Sequence, residues 1–273
     1  MINIIKYFLM GLLALNALSV YAEQTFGCLI EPYQVAEVGA QVVGVIESIK
    51  VERGDTVKKG QIIALLKADV ERASVSAADT RAKANANVNA AKANYEFDLV
   101  RLTRAKNLLK KNFISIQAFE KVEAESKVSH QTYMQSIEQQ KIAEKELGIA
   151  SSQLSQRSIR SPFDGVITDR YLSLGERVEE KPVVKIAQIN RLRVQVVVPV
   201  SYFGKIHIND TANITPEFPD APIVSGQVSA IDKVIDAASN TYRVQLDLDN
   251  ADYALPAGSR CKADFGLESQ TPV

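Results

Sequence analysis

The stretch that decides the fold is VGVIESIKVERGDTVKKGQIIALL, from Val43 to Leu66. It consists of short runs of β-branched and aliphatic residues, separated by one turn at Gly54-Asp55 and another at Gly60. Apolar runs of this length, bounded by glycine-containing turns, predict short β-strands. The stretch therefore predicts a small, strand-rich unit.

A second copy of this stretch begins 121 residues later. GVITDRYLSLGERVEEKPVVKI, from Gly165, aligns without a gap with GVIESIKVERGDTVKKGQIIAL, from Gly44. Matching β-branched residues fall where strands would bury them. Matching glycines are expected at turns, where a positive φ favours glycine. The predicted turn residues of the two halves are Gly44, Gly54, Asp55, Gly60, Gly165 and Gly175.

Two halves of this kind resemble the biotinyl/lipoyl fold, a small flattened barrel. In a carrier domain of that fold, the modified lysine occupies the tight turn that joins the halves. Here Val70 aligns with that lysine, Lys67 lacks the flanking residues of the carrier pattern, and about 90 residues separate the halves. We therefore expect no attached cofactor. A biotin or lipoyl carrier protein is the alternative function.

The segment between the halves has a helical composition. Residues 68–157 contain no proline and a single glycine, and they are rich in Ala, Glu, Lys, Gln and Leu. Asn112 and Ser115 predict a helix end followed by a new helix start, hence two helices of about 40 residues each. Small and apolar residues at alternating spacings of three and four predict a narrow seam between antiparallel helices. The seam includes Ala91, Tyr95, Leu99, Ser126, Ser136 and Ala150.

The N-terminus has the pattern of an exported protein. A short start with one lysine precedes an apolar run that ends at Val20-Tyr21-Ala22, which predicts a cleaved signal peptide at residues 1–22. An uncleaved anchor is the alternative, although a spanning helix needs about 20 apolar residues. Export places Cys28 and Cys261 in an oxidising compartment, where they either pair or remain two buried thiols.

The composition argues against several other functions. Lys+Arg and Asp+Glu both number 32, so no basic excess points to nucleic acid. The only histidines are His130, expected to face solvent, and His207. Neither lies near a cysteine or carboxylate cluster, so no metal site is expected. The nucleotide-binding patterns GxxxxGK[ST] and GxGxxG are absent, and we predict a protein that is not an enzyme.

Three features together resemble the HlyD-type periplasmic adaptors, also called membrane fusion proteins. They are the split lipoyl-like repeat, the helical segment between its halves, and the motif SPFDG from Ser161 to Gly165. The resemblance implies a mixed α+β multidomain fold with a long antiparallel coiled-coil hairpin. The implied divisions are a β-barrel domain at 23–37 and 191–267, a lipoyl/biotinyl-like domain at 38–67 and 158–190, a hairpin at 68–157 and a tail at 268–273.

The same resemblance bears on the C-terminal third. It implies a short helix at 201–206 within the barrel domain. It also places Cys28 and Cys261 on the first and last barrel strands, where a disulfide between them becomes plausible. Many drug-efflux adaptors continue into a membrane-proximal domain, whereas this sequence stops at Val273, which leaves the type of pump open.

The predicted hairpin tip carries a further resemblance. Adaptors that dock on TolC-type outer-membrane channels are similar to one another in an Arg, a Leu four residues later and a Ser seven residues after that. Arg104, Leu108 and Ser115 stand at these spacings. The resemblance implies that they bind the channel, whereas the alternative is that Leu108 is core and Ser115 only a helix cap.

The expected function is that of an adaptor in the periplasm, associated with the inner membrane. It would link an inner-membrane transporter to a TolC-type outer-membrane channel, with several copies of the chain assembled around the conduit. A resistance-nodulation-division (RND) pump is the favoured transporter, and an ABC exporter of a type I secretion system is the alternative. No cofactor and no nucleic acid are expected as partners.

Overall fold

A computed structural model describes residues 24–267 of the 273-residue chain. The predicted signal peptide and the tail at 268–273 lie outside the described residues. The helices are α1 (Asp69–Ala82), α2 (Ala86–Lys110) and α3 (Ile116–Ser155). The strands are β1 (Thr25–Val38), β2 (Gly44–Ile49), β3 (Thr56–Val57), β4 (Ile62–Leu66), β5 (Ser158–Arg160), β6 (Gly165–Arg170), β7 (Arg177–Val178), β8 (Val184–Pro199), β9 (Thr211–Pro216), β10 (Val224–Ile231), β11 (Thr241–Asp249) and β12 (Arg260–Asp264).

Six strands form a closed β-barrel. They pair in the order β1, β12, β9, β10, β11 and β8, and β8 pairs with β1 to complete the ring. Exposed and buried residues alternate along β9, which is the pattern of a strand with one face toward a core. The barrel interior is filled by aliphatic and aromatic side chains, among them Ile30, Val194, Val196, Ile214 and Leu246.

The short barrel helix expected at 201–206 is reduced to a single 3-10 turn, Val200–Tyr202. Phe203 already has an extended backbone and Gly204 a φ of 83°, so the chain leaves the helical conformation there. Tyr202 is buried, its ring 5.1 Å from that of Phe26. The segment is therefore fixed by aromatic packing rather than by helical turns.

The second β unit shows the internal repeat directly. Strands β2 and β3 of the first half pair with β7 and β6 of the second half, respectively. The turn bonds are reciprocal too: the Gly54 amide donates to the Ile167 carbonyl at 2.8 Å, and the Gly175 amide donates to the Ile46 carbonyl at 3.0 Å. The two halves are thus related by an approximate two-fold axis, and the residues that exchange these bonds are 121 positions apart. We call this part the smaller β unit.

Two long strands, β1 and β8, run through both the barrel and the smaller β unit. Their pairing is interrupted between the two units, where the register shifts between Pro32 and Gln34. The buried side chain of Asn250 donates to the carbonyl of Ile189 at 2.7 Å, and its backbone amide donates to that of Asn190 at 3.0 Å. Asn250 therefore satisfies backbone groups that the interrupted ladder leaves without a partner.

The helices lie between the two halves of the smaller β unit, and we call residues 69–155 the helical arm. Both α1 and α2 pack against α3. Contacts join Asn85 to Gln140 and the ring of Tyr95 to that of His130, so numbers rise along α2 as they fall along α3. The two helices therefore run antiparallel. None of the helices within residues 24–267 is both long and apolar enough to cross a membrane.

The prediction of two unbroken helices of about 40 residues is wrong for the first of them. Only α3 has that length, 40 residues, because the first helix divides into α1 of 14 residues and α2 of 25. The break at 83–85 adjoins Asn85, Asn87 and Asn89, and asparagine side chains compete with the helix for backbone hydrogen bonds. The Asn85 side chain instead bonds Gln140 of α3.

The predicted seam holds in most of its positions. Ala91, Ser126, Ser136 and Ala150 are buried between the helices, whereas Leu99 is exposed. The prediction that His130 faces solvent is wrong, because its ring lies 4.8 Å from that of Tyr95 and the residue is half-buried. Small residues dominate the buried positions, which lets the helices approach closely.

The two cysteines lie directly opposite each other on β1 and β12. The structure joins Cys28 and Cys261 in a disulfide with their Cα atoms 4.9 Å apart, within the usual range for such bonds. The bond connects the N-terminal and C-terminal strands of the barrel, which are 233 residues apart in sequence.

We expect the double substitution Cys28→Ser/Cys261→Ser to lower the free energy of unfolding by about 2–3 kcal/mol, because the open chain gains conformational entropy when unfolded. Urea denaturation of the purified protein measures the difference. The native chain in excess reductant is the matched control and should lose the same amount. Equal stability with and without reductant would contradict the role of the bond.

Candidate functional site

The free end of the helical arm is a tight turn with both helix ends capped. The Asn112 amide donates to the Leu109 carbonyl at 2.9 Å, and the Phe113 amide donates to the Leu108 carbonyl at 3.0 Å. Asn112 has a φ of 59°. This is a Schellman C-cap, with asparagine in the position that glycine usually takes. The prediction of a helix end at Asn112 is confirmed.

The next helix begins at a side-chain cap. The Ser115 hydroxyl accepts a hydrogen bond from the Ala118 amide at 3.1 Å, so the interpretation of Ser115 as an N-cap is confirmed. Ser115 itself is exposed at the turn. Ser115 can therefore cap the helix and also contact a partner, because the residue that supplies the capping hydroxyl remains exposed.

We call the end of the arm, residues 101–121, the tip. Three of its large apolar residues are exposed. Leu108 is 42% exposed, Phe113 72% and Ile116 67%. The alternative that Leu108 belongs to the core is therefore wrong. Arg104 lies one turn before Leu108 on the same face of α2 and is exposed. Within residues 24–267 no hydrogen bond or ion pair engages its guanidinium group.

Phe113 and Ile116 were not predicted as site residues. The available signal was their position: both are large apolar residues that flank the predicted cap, where a turn at the end of an arm has nothing to pack against. Exposed apolar side chains that cluster in this way are typical of interaction sites. The tip thus presents the unpaired Arg104, three exposed apolar side chains and Ser115, which caps the helix.

The tip is also strongly basic. Residues 101–121 contain six Lys or Arg and one Glu, a net charge of +5, although the whole chain has a net charge of zero. A concentration of one sign of charge steers a partner with the opposite sign. The chemistry of the tip therefore suits an acidic partner surface with apolar pockets.

The root of the arm occupies the place where a carrier domain would hold its lysine. Val70, which aligns with that lysine, lies in the first turn of α1 and is exposed. Lys67 precedes the helix, and its backbone amide donates to the Val45 carbonyl at 2.9 Å. The tight turn of a carrier is therefore replaced by the start of a helix.

Arg157, which no sequence argument singled out, connects the root to the smaller β unit. Its guanidinium donates to the Glu71 carboxylate at 2.6 Å and to the Val43 carbonyl at 3.1 Å. A hydrogen bond from its own backbone amide, opposed by burial and helped by Arg157, lowers the pKa of Glu71 below the usual 4.5. One side chain thus ties α1 to the start of β2.

We expect Arg157→Gln to lower the melting temperature by loosening the root. The Glu71 carboxylate has a lowered pKa in the folded state, so its contribution is present above pH 4.5 and declines as the pH falls below that value. The difference in melting temperature between native protein and variant should therefore narrow below pH 4.5. Melting curves at pH 7 and pH 3.5 measure it, and Lys127→Gln on the arm is the control. A melting-temperature difference that is the same at both pH values would contradict a stabilising ion pair between Arg157 and Glu71.

Two sequence motifs meet beside the root. The Gly60 amide donates to the Ser161 carbonyl at 2.8 Å, and the Ser161 amide donates to the Gln61 carbonyl at 3.0 Å. The Lys59 amide donates to the Asp164 carboxylate at 2.7 Å. The residues around Gly60 and the SPFDG motif therefore hold the two halves together on either side of the arm.

The predicted turn glycines divide into two groups. Gly54, Gly60 and Gly175 have φ values of 93°, 80° and 83°, so they are turn residues as predicted. Asp55 accepts a hydrogen bond from the Glu52 amide at 2.7 Å and so closes its turn. The prediction is wrong for the remaining two glycines, Gly44 and Gly165.

Gly44 and Gly165 begin strands β2 and β6 instead of forming turns. Both are needed for close approach. A Cβ atom on Gly165 would lie 2.5 Å from the Ala187 carbonyl oxygen, and one on Gly44 would lie 2.9 Å from an Arg157 guanidinium nitrogen. The repeat therefore preserves glycine here for space rather than for backbone conformation.

Within residues 24–267 no group of three or more His, Cys, Asp or Glu side chains is placed to hold a metal ion. His207 is exposed and has Asp210 as a neighbour, with 3.7 Å between Nδ1 and the carboxylate. The features with functional geometry are thus the tip and the root of the arm.

Comparison with known proteins agrees with this architecture. Residues 34–188 match the family described as CzcB-like, barrel-sandwich hybrid domain. The chain is 26% identical over 244 residues to the cobalt-zinc-cadmium resistance protein CzcB of Cupriavidus metallidurans, covering 88% of this chain and 44% of that protein. It is 30% identical over 129 residues to the nodulation protein NolF of Rhizobium meliloti, covering 47% of this chain and 35% of that one. The chain therefore spans less than half the length of these relatives.

Solved structures share the fold. MacA from Actinobacillus actinomycetemcomitans superposes with a TM-score of 0.71 at 21% identity, covering 88% of this chain and 78% of that one. The membrane fusion protein Spr0693 from Streptococcus pneumoniae R6 superposes with a TM-score of 0.57 at 16% identity, covering 90% of this chain and 100% of that one. At these identities the likeness concerns the fold.

Proposed function

Because the chain belongs to the membrane fusion protein family of periplasmic adaptors and contains its CzcB-like barrel-sandwich hybrid domain, we propose that it is the adaptor subunit of a tripartite transport system. In this role it links an inner-membrane transporter to a TolC-type outer-membrane channel, and several copies surround the conduit. The observation that carries the proposal is the tip, where basic, apolar and capping residues converge at the end of a long arm. The adaptor function requires no catalysis by this chain.

The dimensions and chemistry of the arm support a bridging role. At about 1.5 Å per residue, the 40 residues of α3 extend about 60 Å, so the tip can contact a partner far from the barrel. We propose that the arm serves as the coiled-coil hairpin of the family and that Arg104, Leu108 and Ser115 contact the channel. Arg104 supplies a planar set of donors, and Leu108 with Phe113 and Ile116 supplies the apolar contact.

We propose that the barrel and the smaller β unit face the inner-membrane transporter. The barrel loop before β11 carries Val234, which is largely exposed, and Ile235, which is also exposed. An RND pump is the favoured transporter on the family resemblance, and an ABC exporter is the alternative. Two relatives are named for metal resistance and cation efflux. Those names describe the relatives, and we propose no transported substrate for this chain.

A photo-crosslinking residue in place of Val234 tests the transporter contact in cells. We expect it to capture an inner-membrane protein, and mass spectrometry of the adduct then distinguishes the two classes. An RND pump supports the favoured proposal, whereas a protein with a nucleotide-binding domain supports the ABC alternative. Capture of neither class would contradict the assignment of the barrel face.

The domain division and the location follow from the same proposal. We propose the barrel, lipoyl-like and helical divisions given by the sequence, with export by the N-terminal segment and placement in the periplasm at the inner membrane. A biotin or lipoyl carrier is disfavoured because Val70 and the start of α1 stand where the lysine-bearing turn would be. Intact-mass measurement after expression with biotin and lipoate tests whether a cofactor is attached. Any cofactor adduct would contradict the proposed adaptor function.

A further inference from the structure

A shallow groove of about 650 Å³ lies between α2 and α3, beside the tip. Its volume is within the range of small-molecule sites. Ala91 and Ala124 supply small side chains to its lining. Phe97 of α2 and Val128 of α3 also line it and are 65% and 66% exposed. One aromatic ring and one branched side chain therefore border an open space on the surface of the arm, which we call the arm groove.

The rest of the lining offers uncharged hydrogen-bonding groups from Asn94, Ser129 and Thr132. Asn94 is exposed, and within residues 24–267 no hydrogen bond engages its side chain. The hydroxyls of Ser129 and Thr132 donate to carbonyls of α3 at 3.1 Å and 3.0 Å, so their oxygen atoms keep the capacity to accept. The arm groove thus presents one amide, which both donates and accepts, and two hydroxyl acceptors.

The charges at the arm groove cancel one another. Asp98 and Glu125 line it, and the Arg101 guanidinium lies 3.4 Å and 3.2 Å from their carboxylates. Lys121, which also lines it, supplies the second positive charge. A ligand with a large net charge therefore gains no overall attraction here, in contrast to the basic tip. The arm groove favours a ligand that is polar and close to neutral.

A neutral glycan has the chemistry that this lining matches. A sugar ring presents an apolar C–H face, which packs against an aromatic ring such as that of Phe97, and hydroxyls at its edge, which bond with amides and hydroxyls. In an N-acetylated sugar, the acetamido group adds a methyl for Val128 and an amide for Asn94. Helix α3 continues from the groove through residues 129–137, which include two exposed glutamines and no Asp, Glu, Lys or Arg. The neutral polar surface therefore extends beyond the groove, as a polymeric ligand requires.

We propose that the arm groove binds a glycan strand of the peptidoglycan layer. This inference rests on the proposed function, because an arm that joins an inner-membrane transporter to an outer-membrane channel has to cross that layer. Val128 lies 13 residues after Ser115 and 27 residues before Ser155. At about 1.5 Å per residue, the groove is about 20 Å from the turn of the tip and about 40 Å from the root. It therefore lies between the two ends of the arm, where the wall is crossed.

Co-sedimentation of the purified full chain with purified peptidoglycan sacculi tests this binding. We expect Phe97→Ala to weaken it about fivefold or more, because truncation of an aromatic anchor is among the most costly changes at an interface. Phe113→Ala is the matched control, since its ring is also exposed on the arm but lies at the tip, and it should bind like the native chain. Binding should persist in high salt, which screens the attraction between the basic tip and the carboxylates of the stem peptides.

Soluble competitors identify the part of the sacculus that is bound. Glycan strands freed of their stem peptides should displace the chain, whereas the free peptides should not. Displacement by the peptides alone, loss of binding in high salt, or equal binding by Phe97→Ala and the native chain would overturn the proposal. So would a photo-crosslinking residue at position 97 that captures only a second copy of the chain in intact cells.

Channel capture from the tip is measured separately in the same cells. Capture of the channel without binding to sacculi refutes the glycan contact alone. Binding to sacculi without capture of the channel refutes the channel-docking function.

Discussion

Gly165→Val is expected to prevent stable folding of the smaller β unit. The new Cβ would lie 2.5 Å from the Ala187 carbonyl oxygen and 3.0 Å from its carbonyl carbon, so no choice of rotamer relieves the clash. The β6 and β8 strands would have to separate at a position where they pair in the sheet. We expect a loss of about 4 kcal/mol or more in the free energy of unfolding, measured by urea denaturation.

Two glycine variants make this prediction specific. Gly44→Ala, at the equivalent position of the repeat, meets the flexible side chains of Arg157 and Leu66, so it should cost less than Gly165→Val. Gly148→Ala in α3 meets nothing within 4 Å and should stabilise the helix by about 0.5–1 kcal/mol. If Gly165→Val were no more destabilising than Gly44→Ala, the close approach of β6 and β8 would be wrong.

The second large effect concerns the tip. Arg104→Glu combined with Leu108→Glu is expected to reduce the amount of channel recovered with the adaptor by about tenfold or more, because buried arginine and apolar anchors each contribute about 1–2 kcal/mol or more at interfaces. Both residues are exposed, so the melting temperature should stay unchanged. Co-purification from crosslinked cells measures the channel.

Lys127→Glu is the control for the tip variant, since it makes the same charge change as Arg104→Glu on an exposed part of the arm outside the tip. It should leave channel recovery near the native level. Equal loss in the control and in the tip variant would indicate a general electrostatic effect. Full recovery with the tip variant would contradict docking through Arg104 and Leu108.

The repeat and the cap at Ser115 could be predicted because each rests on local chemistry. Turn glycines with positive φ and a serine that begins a helix leave direct marks in sequence. The role of Gly165 could not be predicted in the same way. Glycine is required there because of Ala187, a residue of another strand. The sequence does not distinguish a glycine needed for positive φ from one needed for space.

The helix break and the outward apolar residues depend on tertiary context. The asparagines around Asn85 weaken the helix without fixing where it breaks, and the structure places the break beside the contact between Asn85 and Gln140 of the opposite helix. Phe113 and Ile116 are residue types common in protein cores, and the turn geometry leaves both of them largely exposed. Arg157 likewise acquires its role from Glu71, which is 86 residues away in sequence.

The most direct test of the adaptor function is a photo-crosslinking residue at position 115 in intact cells, compared with the one at Val234. Ser115 lies at the turn of the tip, and Val234 lies on the barrel. We predict that position 115 captures a TolC-type outer-membrane channel and that position 234 captures the inner-membrane transporter. Capture of the transporter from position 234 together with no channel from position 115 would contradict the bridging role of the arm.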